Sequence, residues 1–428
     1  MRERILDLAL GLLIACVVFS VHFRAQVVTI SDSTWNVYTA LSLLDQGDAD
    51  LNEYEALLKG MDFWAIDTID GRHYNYFPIG PSIFAVPLIA AARKFPGGLL
   101  YFNQNGFAHR DPHTNLQLYT ASCATAIAAM LMYLIARFGL RRAPAFVLAL
   151  LFAFGTPLYS TASRALWQHG PSLVFLCATL LALVAAKRDE RWLPAAGIAM
   201  ALAFVMRPTN AIAVVFLSLY VLLQHRRGLA LYLAGAAAVA LPYLLYNINV
   251  YDAWFPPYSA ASRVGGWNSF AQALPANLIS PARGVLVFSP IVALSVAGLW
   301  LLARRGMLGL FDVALLLIPV AHLIVVSRFG HWWLGHSFGP RGMTDMFPFF
   351  FWFLIPVLQE IDFRNRAVTA GRVLLLAVLI LTSVWSVFVH YRGANDTATL
   401  FWNVTPVDVD QDPTRVWDWS DPQFLRGL

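Results

Sequence analysis

Ala136-Arg137-Phe138-Gly139-Leu140-Arg141-Arg142 is a short basic turn between two apolar runs, at about 116–136 and 144–160. Multi-pass chains keep Lys and Arg in their cytoplasmic loops, so this turn marks an inside face. Further clusters stand at Arg2/Arg4, Lys187/Arg188/Arg191, Arg226/Arg227, Arg304/Arg305 and Arg364/Arg366/Arg372, flanking every second apolar stretch. The segments between them then face away from the cytoplasm, and these are rich in Asp, His, Trp, Tyr and Pro. The pattern reads as an all-α membrane protein whose chemistry is done outside the cytoplasm.

Composition agrees. Of 428 residues, 58% are hydrophobic and 13% charged, with a mean hydropathy of +0.60; soluble domains carry about 25% charged residues. The net charge of +5 is no argument for nucleic acid, because helix-end orientation already explains the basic residues. Cys16, Cys123 and Cys177 all lie in apolar runs, so no structural disulfide is expected and CxxC chemistry is absent. The first run follows Arg2 and Arg4 but has no small-residue cleavage signal, and reads as a retained span.

Stretches long enough to cross a bilayer core, roughly 17–25 residues, or nearly so, lie at about 5–22, 116–136, 144–160, 171–186, 193–207, 210–224, 229–247, 284–303, 308–327, 345–359 and 370–390. That predicts about eleven transmembrane helices, with the N-terminus cytoplasmic and the C-terminus outside. The long outward loop 24–115 is expected to bear short interfacial helices. One runs from Thr34 to Gln46, with Ser31 or Asp32 as cap and Gly47 as stop. The apolar piece Ile79 to Ala92, with Pro81 and Pro87, is too short to span and reads as interfacial or re-entrant. Residues 1–390 form the polytopic domain, and 391–428 a tail folded back on the outward face, since Trp417, Trp419 and Phe424 are rarely spent on disorder.

Four places carry chemistry. Asp32, in Ile30-Ser-Asp-Ser-Thr-Trp35, is either a helix cap or a carboxylate placed to accept a proton from a hydroxyl. Arg207, in Phe204-Val-Met-Arg-Pro-Thr-Asn210, is an arginine deep in apolar sequence. It is either a snorkelling side chain or an anion clamp beside a helix broken by Pro208. The loop 160–170 holds Arg164, Trp167, Gln168 and His169; the loop 327–341 holds Arg328, His331, Trp332, Trp333, His336 and Arg341. An aromatic belt would explain the tryptophans; rings beside hydrogen-bonding groups also suit a sugar, and the arginines an anion. His331 and His336 stand five apart in a Gly-bearing loop, a poor spacing for a zinc pair. Asp48-Ala-Asp50 spells DxD but follows a helix stop and reads first as a solvated turn, as do His109, Arg110, Asp111 and His113.

Taken together, the retained first span, Asp32 at the head of a long outward loop, the Pro-rich piece Tyr76-Phe-Pro-Ile-Gly-Pro-Ser-Ile83, the Trp-rich Gly-Pro-Arg341 stretch and Ser280-Pro-Ala-Arg-Gly-Val285 resemble the polytopic GT-C glycosyltransferases. The likeness is to the protein mannosyltransferase and lipid A aminoarabinose transferase class. It departs from the mannosyltransferase pattern in having Asp32-Ser33 where an Asp-Glu pair stands. The resemblance implies an inverting glycosyltransferase of the inner (cytoplasmic) membrane, moving a monosaccharide such as mannose or arabinofuranose from a polyprenyl-phosphate carrier to a periplasmic glycan, lipid or protein of the cell envelope. Asp32 would then be the base, and Arg207, Arg164 and Arg341 would hold the donor phosphate. His169, Trp167, His331, Trp332, His336, Tyr76 and Tyr258 would contact sugar or acceptor. No residue is assigned to a metal, although a divalent cation is compatible with the class, and no nucleotide motif is present. The alternatives are a transporter or flippase of lipid-linked sugars, which should carry polar residues in the middle of several spans, and a non-catalytic scaffold.

Overall fold

The computed structural model describes residues 2–58, 65–94, 112–260, 264–362, 364 and 367–428; His109, Arg110, Asp111 and Arg366 lie outside them. Helix α1 (Arg2–Arg24) is followed by α2 (Thr34–Asp45), α3 (Glu55–Leu58), an antiparallel hairpin of β1 (Ile66–Ile69) and β2 (Arg72–Asn75), and α4 (Gly80–Arg93). The hairpin adds to the all-helical expectation. Asp70 and Gly71 turn it with φ of 50° and 77°, the positive pair that a tight two-residue hairpin needs.

The remainder is helical: α5 (Pro112–Ala136), α6 (Arg142–Phe154), α7 (His169–Ala186), α8 (Leu193–Met206), α9 (Ala211–Gln224), α10 (Leu229–Tyr251), α11 (Phe270–Ile279), α12 (Val285–Phe288), α13 (Leu294–Arg304), α14 (Leu310–Val326), α15 (Phe347–Glu360), α16 (Ala370–Asn395) and α17 (Ala398–Phe401). Helix stands at every stretch expected to span. Among the described residues, six have full crossing length and apolarity: Glu3–Arg24, Pro112–Ala136, His169–Ala186, Arg226–Tyr251, Arg341–Glu360 and Ala370–Asn395. The others are shorter; α6, with 13 residues, covers about 20 Å of a hydrocarbon core about 30 Å thick.

Burial sorts these helices into layers. The windows in α5, α7 and Arg341–Glu360 are 67%, 78% and 83% buried, against 22% in α1, Arg226–Tyr251 and α16. The first three therefore form the core, where Phe152, Leu176, Phe347 and Phe351 are fully enclosed. The other three turn their apolar faces outward, an arrangement that lipid solvates and water does not. Small residues allow a close crossing of α8 and α10: a Cβ at Gly197 of α8 would lie 2.0 Å from the Tyr232 carbonyl oxygen, and one at Gly235 of α10 would lie 2.2 Å from that of Pro194.

The basic turns meet at one end of the bundle. Asp7 of α1 takes Arg137 at 3.0 Å and Arg142 at 2.8 Å. Arg141 pairs with Asp362, and Glu360 holds both Arg305 and Arg372. The tail packs against the 327–344 loop: Trp402, Val409 and Val416 enclose Trp332 and Trp333, and Phe424 closes on Phe288 and Phe338. Trp419 stays at the surface, at 57% exposed.

Candidate active site

Asp32 lies on an irregular segment pinned from two sides. The Val27 amide donates to Ala394 O at 3.0 Å and the Thr29 amide to Arg164 O at 3.2 Å. Gln117, wholly buried on α5, donates to Ser33 O at 2.6 Å and accepts the Leu166 amide at 2.9 Å. Asn36 adds a bond to Leu166 O at 2.7 Å. The segment around Asp32 is thus registered against the 160–168 loop. The cap assignment fails: the N-cap of α2 is Ser33, with no side-chain cap hydrogen bond, while the expected stop at Gly47 holds, with φ 84°. The Asp32 carboxylate turns instead to Arg341, whose Nη2 donates to Oδ2 at 2.7 Å, and it also accepts the Ser31 hydroxyl at 3.1 Å. Burial pushes the Asp32 carboxyl up, but the Arg341 guanidinium outweighs it and holds the group below its ordinary value.

Arg341 opens a 3-10 turn, Arg341–Met346, that feeds α15. Gly339 before it has φ 62°, and a Cβ there would lie 2.6 Å from the Phe288 ring, so only glycine fits. The Arg341 guanidinium sits 3.6 Å from the centroid of the Trp167 ring, a cation–π contact. Trp167 leads to His169, with ring centroids 6.3 Å apart. There a second ion pair begins.

Arg207 owes its position to Pro208. A residue before proline is forced out of the helical region, and Arg207 adopts φ −150° and ψ 114°, ending α8. Its Nε donates to Thr209 Oγ1 at 2.8 Å and lies 3.4 Å from Asp345 Oδ2. Its Nη1 is 2.8 Å from each ring nitrogen of His169. His169 Nδ1 is 2.7 Å from Asp345 Oδ2. With the proton assigned to Nδ1, the imidazole is a neutral bridge that donates to Asp345 and offers Nε2 to Arg207. The Asp345 carboxylate is wholly enclosed and the Arg207 side chain one-tenth exposed; removing one member of such a pair costs about 3–5 kcal/mol.

The fold therefore gathers Asp32, Arg341, Trp167, His169 and Arg207, and adds Asp345. This cluster lies at the end of the bundle opposite the basic turns, because His169 starts the α7 that ends before Lys187, and Arg207 closes the α8 that starts after Arg191. Other expected members are employed elsewhere. Arg164 is enclosed, its guanidinium bound to the backbone oxygens of His22 and Val27 and to Ser163 Oγ, so it braces the end of α1. Trp332 is core under the tail. His331 is exposed beside Trp333, ring centroids 5.1 Å apart. Tyr76 and Tyr258 meet each other and Phe77 in a separate aromatic cluster that reaches Trp35.

His336 is drawn to the tail, with Nε2 2.8 Å from Asp408 Oδ1 and 3.6 Å from Asp410 Oδ2. That contact holds the Asp408 carboxyl below its usual value. Among the described residues, His336, Asp408 and Asp410 are the group whose ligand atoms, within 4.8 Å of one another, have the spacing to hold a metal. The DxD spelled at 48–50 is used structurally: Asp50 pairs with Arg72 at 3.0 Å and Asp48 accepts the Ser42 hydroxyl at 3.1 Å. Sequence reasoning missed Asp345, Gln117 and Asn36. Asp345 carried a usable signal, an acid at the mouth of an apolar run, the same anomaly that exposed Arg207.

The fold is that of the polytopic GT-C class. A family model described as dolichyl-phosphate-mannose-protein mannosyltransferase matches residues 113–246, which include Gln117, Trp167, His169 and Arg207. The structure is similar to that of the archaeal oligosaccharyltransferase AglB from Archaeoglobus fulgidus, solved with an inhibitory peptide and a dolichol-phosphate, at TM-score 0.55 and 12% identity over 100% of this chain. The chain spans 61% of that protein's length. It is also similar to apo ArnT from Cupriavidus metallidurans, at TM-score 0.53 and 14% identity, covering 93% of this chain and 79% of that one. ArnT bound to undecaprenyl phosphate gives 0.50 at 15% identity, over 92% and 72%. No curated protein matches the chain.

Proposed function

We propose that the protein is an inverting glycosyltransferase of a cytoplasmic membrane, taking a monosaccharide from a polyprenyl phosphate and placing it on an acceptor at the non-cytoplasmic face. The observation that carries this reading is the convergence of the part-buried Asp32 carboxylate, two arginines and a tryptophan at the end of the bundle away from the basic turns. The positive-inside pattern supports a cytoplasmic N-terminus and a site on the other face. Bound polyprenyl phosphates in structures of similar fold support a lipid-linked donor.

In this mechanism Asp32 Oδ2 takes the proton of an acceptor hydroxyl as its oxygen attacks the anomeric carbon. The bond from that carbon to the phosphate oxygen breaks, and the electron pair leaves with the phosphate. The carrier gains one negative charge as Asp32 loses one. Arg341, bound to Asp32 at the start, is thereby released to the leaving phosphate beside Arg207. Trp167, itself buried, holds the Arg341 guanidinium in place through its ring face.

Membranes containing the protein, supplied with radiolabelled mannosyl, glucosyl, arabinofuranosyl and aminoarabinosyl polyprenyl phosphates, test this directly. The expected result is label in a periplasmic acceptor from one donor, with inverted anomeric configuration by NMR of the product. Retained configuration would overturn the mechanism. Label that crosses the bilayer still attached to its carrier would favour a flippase.

A further inference from the structure

Within that reading, the buried Asp345 has no role in the bond-making steps. It is closed to solvent and hydrogen-bonded to His169. It lies instead against the cation assigned to the donor phosphate, 3.4 Å from Arg207 Nε and 2.7 Å from the imidazole that Arg207 Nη1 touches. A group that only needed to bind phosphate would be better served by an unpaired arginine. The arrangement here cancels charge: Asp32 balances Arg341, Asp345 balances Arg207, and His169 between them is neutral. The donor is a phosphodiester with one negative charge, whereas the released carrier is a monoester with up to two. An uncompensated Arg207 would therefore hold product more tightly than donor.

We infer that Asp345 is a positioning residue that tempers Arg207, fixing its guanidinium through His169 while lowering the affinity of the site for the carrier phosphate so that product leaves. The inference rests on the proposed phosphate role of Arg207. Removing a unit charge a few ångströms from a phosphate, in surroundings of intermediate dielectric, is expected to tighten binding on the order of tenfold to a hundredfold. A purely structural Asp345 would have the opposite sign, because losing it would loosen the site.

The test is binding of geranylgeranyl phosphate, with geranylgeraniol as the uncharged control, to the detergent-purified full chain. Asp345→Asn should bind the phosphate on the order of tenfold or more tightly than wild type, with the alcohol unchanged and turnover limited by product release. Asp345→Glu, which keeps the charge, should remain within about threefold of wild type. Equal or weaker phosphate binding by folded Asp345→Asn overturns the inference. Because Asp345→Asn strands a buried arginine, Arg207→Gln/Asp345→Asn provides a second comparison in which both charges are gone. It should bind the phosphate more tightly than Arg207→Gln alone, and equal or weaker binding again overturns the inference. If wild type and Arg207→Gln bind the phosphate equally, the phosphate role of Arg207 is what fails.

Discussion

Arg341 touches two groups, the Asp32 carboxylate and the Trp167 ring, and in the proposed scheme it turns to the leaving phosphate once Asp32 is protonated. Its contact with Asp32 holds that carboxyl low, against a burial that alone would raise it. The base form of Asp32 is therefore present down to a pH below the ordinary carboxylate range, about 3.9. The pair's contribution to stability is likewise present above that range and lost as pH falls through the depressed value. Arg341→Gln removes the cation and leaves the burial. The acid limb of kcat/KM should then move to higher pH, in addition to an overall loss of rate from weaker phosphate stabilisation. A pH–rate profile of the two proteins checks this; an acid limb at the same pH in both would separate Arg341 from the base.

At the level of elements, helix breaks position the site and helix crossings hold it. Pro208 ends α8 at Arg207, whose guanidinium is proposed to hold the phosphate, and that stop is legible in the sequence because proline acts on its immediate neighbour. The pairing of Asp32 with Arg341 is not legible, since 309 residues separate them and only tertiary packing brings them together. For the same reason position alone favours reading Asp32 as a cap, and a belt of tryptophans gives no means of telling Trp167, which faces Arg341, from Trp332, which is core under the tail. The hairpin was legible in Asp70-Gly71 and Asp345 in its apolar setting; each needed a rule applied at a place where the surrounding pattern drew attention elsewhere. The crossing of α8 and α10 gives a prediction about packing. Gly235→Val puts a side chain into the Pro194 carbonyl and should destabilise the protein by about 1–3 kcal/mol or more. Gly371→Val, with nothing within 4 Å, is the control. Thermal unfolding in detergent should show a lower Tm for the first alone, and equal Tm values would place the crossing elsewhere.

Across the whole molecule, one end of the bundle is tied together by ion pairs among the basic turns and the other holds the candidate site. The C-terminal tail belongs to the second end. Arg283, fully enclosed, donates to Trp333 O at 2.7 Å, Gly335 O at 2.9 Å, Asn403 Oδ1 at 2.9 Å and Gln423 Oε1 at 3.1 Å. Gln423 also accepts the Gly339 amide at 3.0 Å and donates to Ser337 O at 2.9 Å. The loop that presents Arg341 is therefore braced by Asn403 and Gln423 near the C-terminal end, while the Asp32 segment is held by Gln117, Arg164 and Ala394. That closure is what makes Asp32 and Arg341 a unit fixed by the whole fold.

The decisive measurement is the rate of sugar transfer by Asp32→Asn against wild type, at equal protein in the membrane and with donor binding measured alongside. With Asp32 as the base, transfer should fall on the order of a hundredfold or more while the polyprenyl-phosphate sugar still binds. Transfer at the wild-type rate would contradict the role of Asp32 and, with it, the mechanism built on the Asp32–Arg341 pair.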